Sequence, residues 1–407
     1  MREITRCEVC GNTNLPTVLD LGLHPLPDDL VKVGDDRVCA EYPLEVLFCD
    51  RCRTAHQKYQ LPREQLFFPE YHYRGGQTQD VLSGMEQLVD SVKNHFSVRG
   101  ARALDIGCND GSLLDAFRRR GAITSGIEPT DAAKEAQEKG HAVMHTFFDC
   151  QSAVDYLRHH LPPDVITFTN VFAHIEDLEE LLAALRIIKA PYTRIVVENH
   201  YLGAVIDRHQ FDTFYHEHLR TYSFTSFLHI AKRLDMHVST VEFPARYGGN
   251  IRVFMEPGEA IEVKGGREIF DREDKFGEHL QHLNTQVAHW AAKKRSELVG
   301  YIMADYPAVT PLSAVAFPTR ASILIRLLHF SENHIAAVYE KEGSKKIGYY
   351  VPGTRIPIVS DSMFDVFASH PPLLNLAWHI PKEIEKRWFE LGYEGEFIQV
   401  ISEDDFT

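Results

Sequence analysis

The chain has 407 residues, 44% of them hydrophobic and 25% charged, enough for two or three domains that each bury a core. A net charge of −15 argues against a nucleic-acid backbone as partner, because phosphate binding wants a basic face. No apolar run approaches the roughly 18–20 residues needed to cross a bilayer, and Met1-Arg-Glu-Ile-Thr5 carries no signal-peptide core, so a cytoplasmic protein with no membrane partner is expected.

The N-terminal region holds two hooks, Cys7-x-x-Cys10 and Cys49-x-x-Cys52. Two residues between ligands let one tight turn present both sulfurs to a Zn²⁺, and two such turns close a tetrahedral thiolate site. The stretch between the hooks is rich in turn residues, His24-Pro-Leu-Pro27 and Gly34-Asp-Asp36. Such a segment is held together by a metal staple better than by a core. Four thiolates leave no open position for water, so the expected zinc is structural, in a zinc-ribbon-like module over residues 1–72. Cys39 and His56 are spare donors. Glu70-Tyr-His-Tyr-Arg-Gly-Gly76 links this module to the core and is placed to close over a site there.

From about residue 80 strands alternate with amphipathic stretches. Ala103–Ile106, Ile123–Glu128, Val165–Thr169 and Ile195–Glu198 read as strands; 132–139 and 178–189 read as helices. That alternation predicts a mostly parallel sheet with helices on both faces, here assigned to residues 73–245. After the first strand comes Asp105-Ile-Gly107-Cys-Asn109-Asp-Gly111, opening a helix at Ser112. The pattern is D-x-G-x-x-x-G, without the extra glycine that admits a pyrophosphate, and Glu128 ends the next strand where a carboxylate suits a ribose. S-adenosylmethionine, which has a ribose and no pyrophosphate, fits better than NAD. Asp105, Gly107, Asn109, Gly111 and Glu128 are its expected contacts. Asn170 and His174 follow the next strand, and Glu198-Asn-His200-Tyr201 follow the one after. Ligands of open α/β sheets lie beyond the carboxyl ends of strands, so these residues are expected to face cofactor and substrate.

The segment Phe211-Asp-Thr-Phe-Tyr215-His216-Glu217-His218-Leu-Arg-Thr-Tyr222 is dense in proton-transfer groups. Histidine is the side chain whose unperturbed pKa lets it serve as base and acid near neutrality. A charged helical stretch, about 268–303, precedes a second α/β region: strand 314–317, helix 322–329, strand 335–339 and strand 373–377. Residues 246–407 are assigned to this C-terminal substrate-binding domain.

The order of these pieces resembles the sugar C-methyltransferases of deoxysugar pathways over nearly the whole length. The matching elements are Cys7-x-x-Cys10, Leu19-Asp-Leu-Gly-Leu-His-Pro25-Leu26, Cys49-x-x-Cys52, Tyr71-x-Tyr73, Asp105–Gly111, Asn170-x-x-x-His174, Tyr215-His-Glu-His218, Gly248-Gly-Asn-Ile-Arg252, Pro352-Gly353 and Ala377-Trp378. The resemblance implies a zinc module, a Rossmann-like S-adenosylmethionine domain and a second Rossmann-like domain. It also implies methyl transfer to a carbon beside the keto group of a nucleotide-linked sugar, with catalytic roles at Tyr73, His174, Tyr215, Glu217 and His218. That chemistry needs a base for a C–H proton and donors at the enolate oxygen. His218 is the expected base, with Glu217 the alternative; Tyr215, Tyr73 and His174 are the expected donors. Competing readings are methylation of a sugar oxygen or nitrogen, and a binding protein that keeps the fold without turnover. A monomer is expected. The chain departs from the family where a Gly-rich turn would open the last domain, since Ala314-Val-Ala-Phe-Pro318-Thr-Arg320 has no glycine and offers Arg320 as a phosphate contact. Tyr247 and His379 also replace the family's His and Asn.

Overall fold

The computed structural model describes all residues except 67–73, 78, 305–309, 366–370 and 407, and no side chain is described at 77 or 247. The chain forms two compact units, each assembled from separate stretches. The first comprises Met1–Thr17, Val46–Asp207 and Glu217–Glu278, the second Val18–Glu45, Arg208–His216 and His279–Thr407.

The first unit is built on a seven-stranded sheet. Its order is His237–Glu242, Asn250–Glu256, Arg194–His200, Val165–Thr169, Arg102–Ile106, Ile123–Ile127 and Ala142–Met144. The five strands from Arg102–Ile106 through Arg194–His200 run parallel, because helices return the chain across the sheet each time. Their continuous apolar runs, such as Val165-Ile-Thr-Phe168, are buried, as a sheet covered on both faces requires. Leu88, Val89 and Val92 of helix Gln79–His95 pack with Leu113 and Phe117 of helix Ser112–Arg119 onto Ala103, Val165, Val196 and Phe254. Helix starts are set locally: Asp149 and Ser223 each form a reciprocal capping box with the serine three residues on, and Asp177 accepts from the Glu180 amide.

Strand Asn250–Glu256 runs antiparallel between His237–Glu242 and Arg194–His200. The boundary read at 245/246 therefore falls between two neighbouring strands of one sheet. Ile251, Val253 and Met255 are fully buried there, which is why this stretch stays with the first unit. In the zinc module, Thr54–Gln57 pairs antiparallel with Val46–Cys49 on one side and with Arg220–Thr221 on the other.

The second unit carries a five-stranded, all-parallel sheet in the order Ile358–Ser360, Ile335–Glu340, Leu312–Val315, Leu373–Asn375, Phe397–Gln399. Val315, Leu373, Trp388 and Tyr393 form its core with Tyr339 and Phe364 packed against them. The strand expected at 314–317 is Leu312–Val315, since Ala316 turns to φ +61°. The expected single helix of 268–303 is two, Gly266–Glu273 and Phe276–Ile302.

Candidate functional site

The four hook cysteines come together. Their Sγ atoms all lie within 4.8 Å of one another, with Cys7–Cys52 at 3.4 Å and Cys10–Cys49 at 3.5 Å. A tetrahedral zinc with Zn–S near 2.3 Å places its sulfurs about 3.8 Å apart, so this donor set fits the metal. Cys39 lies outside the cluster and instead reaches the Asp29 carbonyl. His56 is not a ligand either: its Nε2 sits 3.3 Å from Cys7 Sγ while its Nδ1 faces the Glu8 carboxylate at 3.7 Å. That is how a second layer of groups fixes thiolate ligands. Glu8 is half-buried, which works against its ionisation, yet Arg220 and His56 hold its carboxyl well below the usual range.

The Asp105–Gly111 loop occupies the switch point between strands Arg102–Ile106 and Val165–Thr169, where an open α/β sheet holds its ligand. Gly107 and Gly111 have φ of +71° and +77°, and Asn109 takes +48°. A Cβ on Gly107 would meet Val171 at 2.5 Å, so this glycine is required by the loop's own packing as well as by its dihedral. Glu128 is buried and accepts from the Asn109 amide at 2.9 Å and from the Thr130 amide and hydroxyl at 3.0 and 2.6 Å. Its oxygens keep lone pairs for ribose hydroxyls. Asp105 accepts from Thr167 Oγ1 at 2.7 Å, and burial, reinforced by the Glu128 charge, pushes its carboxyl up to about 7. Gly75 and Gly76, at the end of the linking segment, bond to the loop: the Gly75 amide donates to Asn109 Oδ1 at 3.0 Å and that of Gly76 to Asp110 Oδ2 at 2.9 Å. Tyr73 lies outside the described residues.

Beyond the next two strands, three imidazoles gather. His218 stands with its ring centroid 4.8 Å from that of His174 and 5.2 Å from that of His200. Burial draws the His174 pKa down to about 4, leaving it neutral at pH 7. Glu217 and His218 are buried; Tyr215 is half-buried and belongs to the second unit. Asn170 adopts φ +53°, donates its amide to the Glu198 carbonyl at 2.7 Å and accepts from Asn250 at 3.4 Å. The Glu198 side chain, expected at the ligand, turns instead to an internal ion pair. It is fully buried against Arg252 at 2.7 Å and Arg246 at 3.3 Å, and accepts from Asn250 at 3.0 Å. The Gly248-Gly-Asn-Ile-Arg252 motif thus supplies two of the partners of this glutamate, Asn250 and Arg252.

In the second unit the Arg320 guanidinium is turned to an internal carboxylate. It is buried beside Asp212 at 3.2 Å and donates to Thr213 and Gln210 at 3.0 and 3.3 Å, while Trp378 Nε1 donates to Asp212 at 2.9 Å. This cluster is not marked by any motif, and neither are Glu8 and Arg220. The signals available were a glutamate inside the first cysteine hook and an arginine two residues after His218.

Three family models match the chain in order. One described as "Putative zinc binding domain" covers residues 7–67, one described as "Methyltransferase domain" covers 80–240, and one described as "C-methyltransferase C-terminal domain" covers 245–401. The chain is 29% identical over 416 residues to the C-methyltransferase NovU of Streptomyces niveus, spanning 99% of this chain and 97% of that protein. A ubiquinone biosynthesis O-methyltransferase of Saccharophagus degradans is 29% identical over 102 residues, 23% of this chain and 41% of that one. Among solved structures, magnesium protoporphyrin IX methyltransferase from Synechocystis PCC 6803 with bound SAM is 17% identical with a TM-score of 0.36, covering 49% of this chain and 98% of that one. The cofactor is S-adenosylmethionine, and the four-cysteine cluster inside the first match is a zinc site.

Proposed function

We propose that this chain, which belongs to the S-adenosylmethionine-dependent C-methyltransferases that join a zinc-binding, a methyltransferase and a C-terminal domain, methylates a carbon beside the keto group of a nucleotide-linked sugar. S-adenosylmethionine, when bound, supplies an electrophilic methyl group on a sulfonium. Glu128 holds the ribose hydroxyls, and Asp105, Gly107, Asn109, Gly111 and Asn170 shape the surrounding pocket. His218 takes the C–H proton next to the ketone on its imidazole nitrogen, with buried Glu217 beside it in sequence as the alternative base. His174, neutral because it is buried, and Tyr215 are assigned from the sequence to the oxygen where enolate charge develops. Tyr73 is assigned to the same donor set from the sequence alone. The sugar's nucleotide is assigned to the C-terminal unit, beyond the carboxyl ends of its parallel strands.

The observation that carries this reading is the convergence of His174, His200 and His218 at the carboxyl ends of strands Val165–Thr169 and Arg194–His200. The test is a nucleoside-diphosphate keto-deoxysugar incubated with S-adenosylmethionine, the product read by NMR. A new C-methyl group is expected. His218→Asn should lower transfer by about 10²–10⁴-fold while leaving thermal stabilisation by S-adenosylhomocysteine intact. With that demethylated cofactor in deuterated water, the wild-type chain should exchange the α-hydrogen. A His218→Asn variant that methylates at the wild-type rate removes the base assignment; a product methylated on oxygen removes the reaction class.

A further inference from the structure

Arg220 is fully buried, and its guanidinium meets three separate stretches of the first unit. It forms an ion pair with Glu8, the residue next to Cys7. It donates to the carbonyl oxygens of Ile175 and Glu176, the two residues after His174. Its Nε donates to the Tyr222 hydroxyl at 2.9 Å. Backbone bonds run alongside: the Gln57 amide donates to the Leu219 carbonyl at 2.9 Å, and the Leu219 amide to the Ala173 carbonyl at 3.1 Å. Arg220 itself stands opposite His56 in the antiparallel pair, and Glu8 is further fixed by Gln60 at 3.1 Å.

A buried guanidinium is costly unless a carboxylate and well-placed acceptors surround it. Arg220 has all of these: the Glu8 carboxylate, the Tyr222 hydroxyl and two backbone carbonyls. The acceptors it unites come from beside Cys7, beside His174 and from just after His218. We infer that Arg220 is a positioning residue which, through Glu8, sets the separation of His174 and His218 from the zinc-binding module. This rests on the reading that these histidines carry the proton chemistry. The zinc is then more than a staple for its own module, because the strand it stabilises is the one against which the His218 segment is laid.

The test uses the full zinc-loaded chain and two variants, Glu8→Gln and Arg220→Lys. Glu8→Gln keeps the shape and an acceptor but removes the charge. Zinc per chain, deuterium uptake by backbone amides and steady-state kinetics are measured. In Glu8→Gln, zinc should stay at the wild-type level. Amides of 173–177 and 217–222 should exchange at least about 10-fold faster while 105–128 are unchanged. Transfer kcat should fall by about 10²-fold, as expected when catalytic groups shift by about an ångström. KM for S-adenosylmethionine should stay within about two-fold, since the group lost does not bind it. Arg220→Lys should keep part of the protection and part of kcat. Wild-type exchange in those two segments with full zinc content overturns the inference. So does faster exchange throughout the chain with zinc loss in both variants, which marks a purely structural pair. If the wild-type chain fails to methylate the keto sugar, the proposed function falls, and the exchange pattern still decides whether Arg220 holds these segments.

Discussion

A carboxylate held by backbone amides has one orientation to offer a ligand. Glu128 is held in this way, by Asn109 from the cofactor loop and by Thr130 from its own side. Glu128→Ala should remove both the ribose acceptor and the tie to the loop. S-adenosylhomocysteine should then bind about 10–100-fold more weakly, the loss of one or two charge-assisted hydrogen bonds. Thermal shift reads this directly, because a ligand stabilises the state it binds, and NAD at the same concentration should give no shift. Undiminished stabilisation of Glu128→Ala would remove the ribose assignment. At this scale the sequence disclosed groups whose spacing is local. The cysteine hooks, the D-x-G loop and Glu128 at a strand end could all be read from nearby residues. Glu8–Arg220 and Asp212–Arg320 could not, because each pair unites segments distant in sequence and nothing local marks a charge as destined for burial.

The elements were legible where the periodicity was strong, as in the four central parallel strands, and less so where a single residue decides an ending. Ala316 is such a residue. It ends Leu312–Val315 in the left-handed region at φ +61°, where an alanine Cβ is strained by about 1 kcal/mol or more. Its amide still donates to the Tyr339 carbonyl at 2.9 Å, and the next amide, of Phe317, reaches Glu340 Oε2 at 2.6 Å. The turn therefore keeps a conformation suited to glycine although no glycine is present. The arrangement parallels the cofactor loop of the first unit, where the Asn109 amide meets Glu128. Ala316→Gly should raise the melting temperature by roughly 1–4 °C, the relief of strain exceeding the added freedom of the unfolded chain. A fall in melting temperature would mean that the alanine methyl contributes more by packing than its backbone loses.

For the whole molecule, acid should be destabilising well before the carboxylates titrate. Burial holds His24, His174 and His216 at a pKa of about 4, against 6.5 in an open chain. The unfolded chain takes up these protons first. Their contribution is complete above about pH 6.5 and is lost as pH falls toward 4. Asp105 acts the other way, because its folded pKa of about 7 lies above the unfolded 3.8, but it is one group against three. Melting temperature should therefore fall between pH 7 and 5, with a shallower slope in His216→Asn. A rise over that range would contradict the burial of these histidines. The organisation into zinc module, cofactor domain and C-terminal α/β region could be read from motif order. The division of compactness could not, since the first unit takes in Glu217–Glu278 and the second takes in Val18–Glu45 and Arg208–His216.

The pairing of Thr54–Gln57 with Arg220–Thr221 has a consequence for building chimaeras. An N-terminal module from a relative cannot be grafted here as a cassette, although its ends look like convenient seams. The graft would bring a foreign neighbour strand to the segment after His218 and a foreign residue in place of Glu8. The smallest transplantable block is discontinuous: the cysteine hooks with Glu8 and His56, together with the Ala173–Glu176 and Glu217–Tyr222 stretches that close on them.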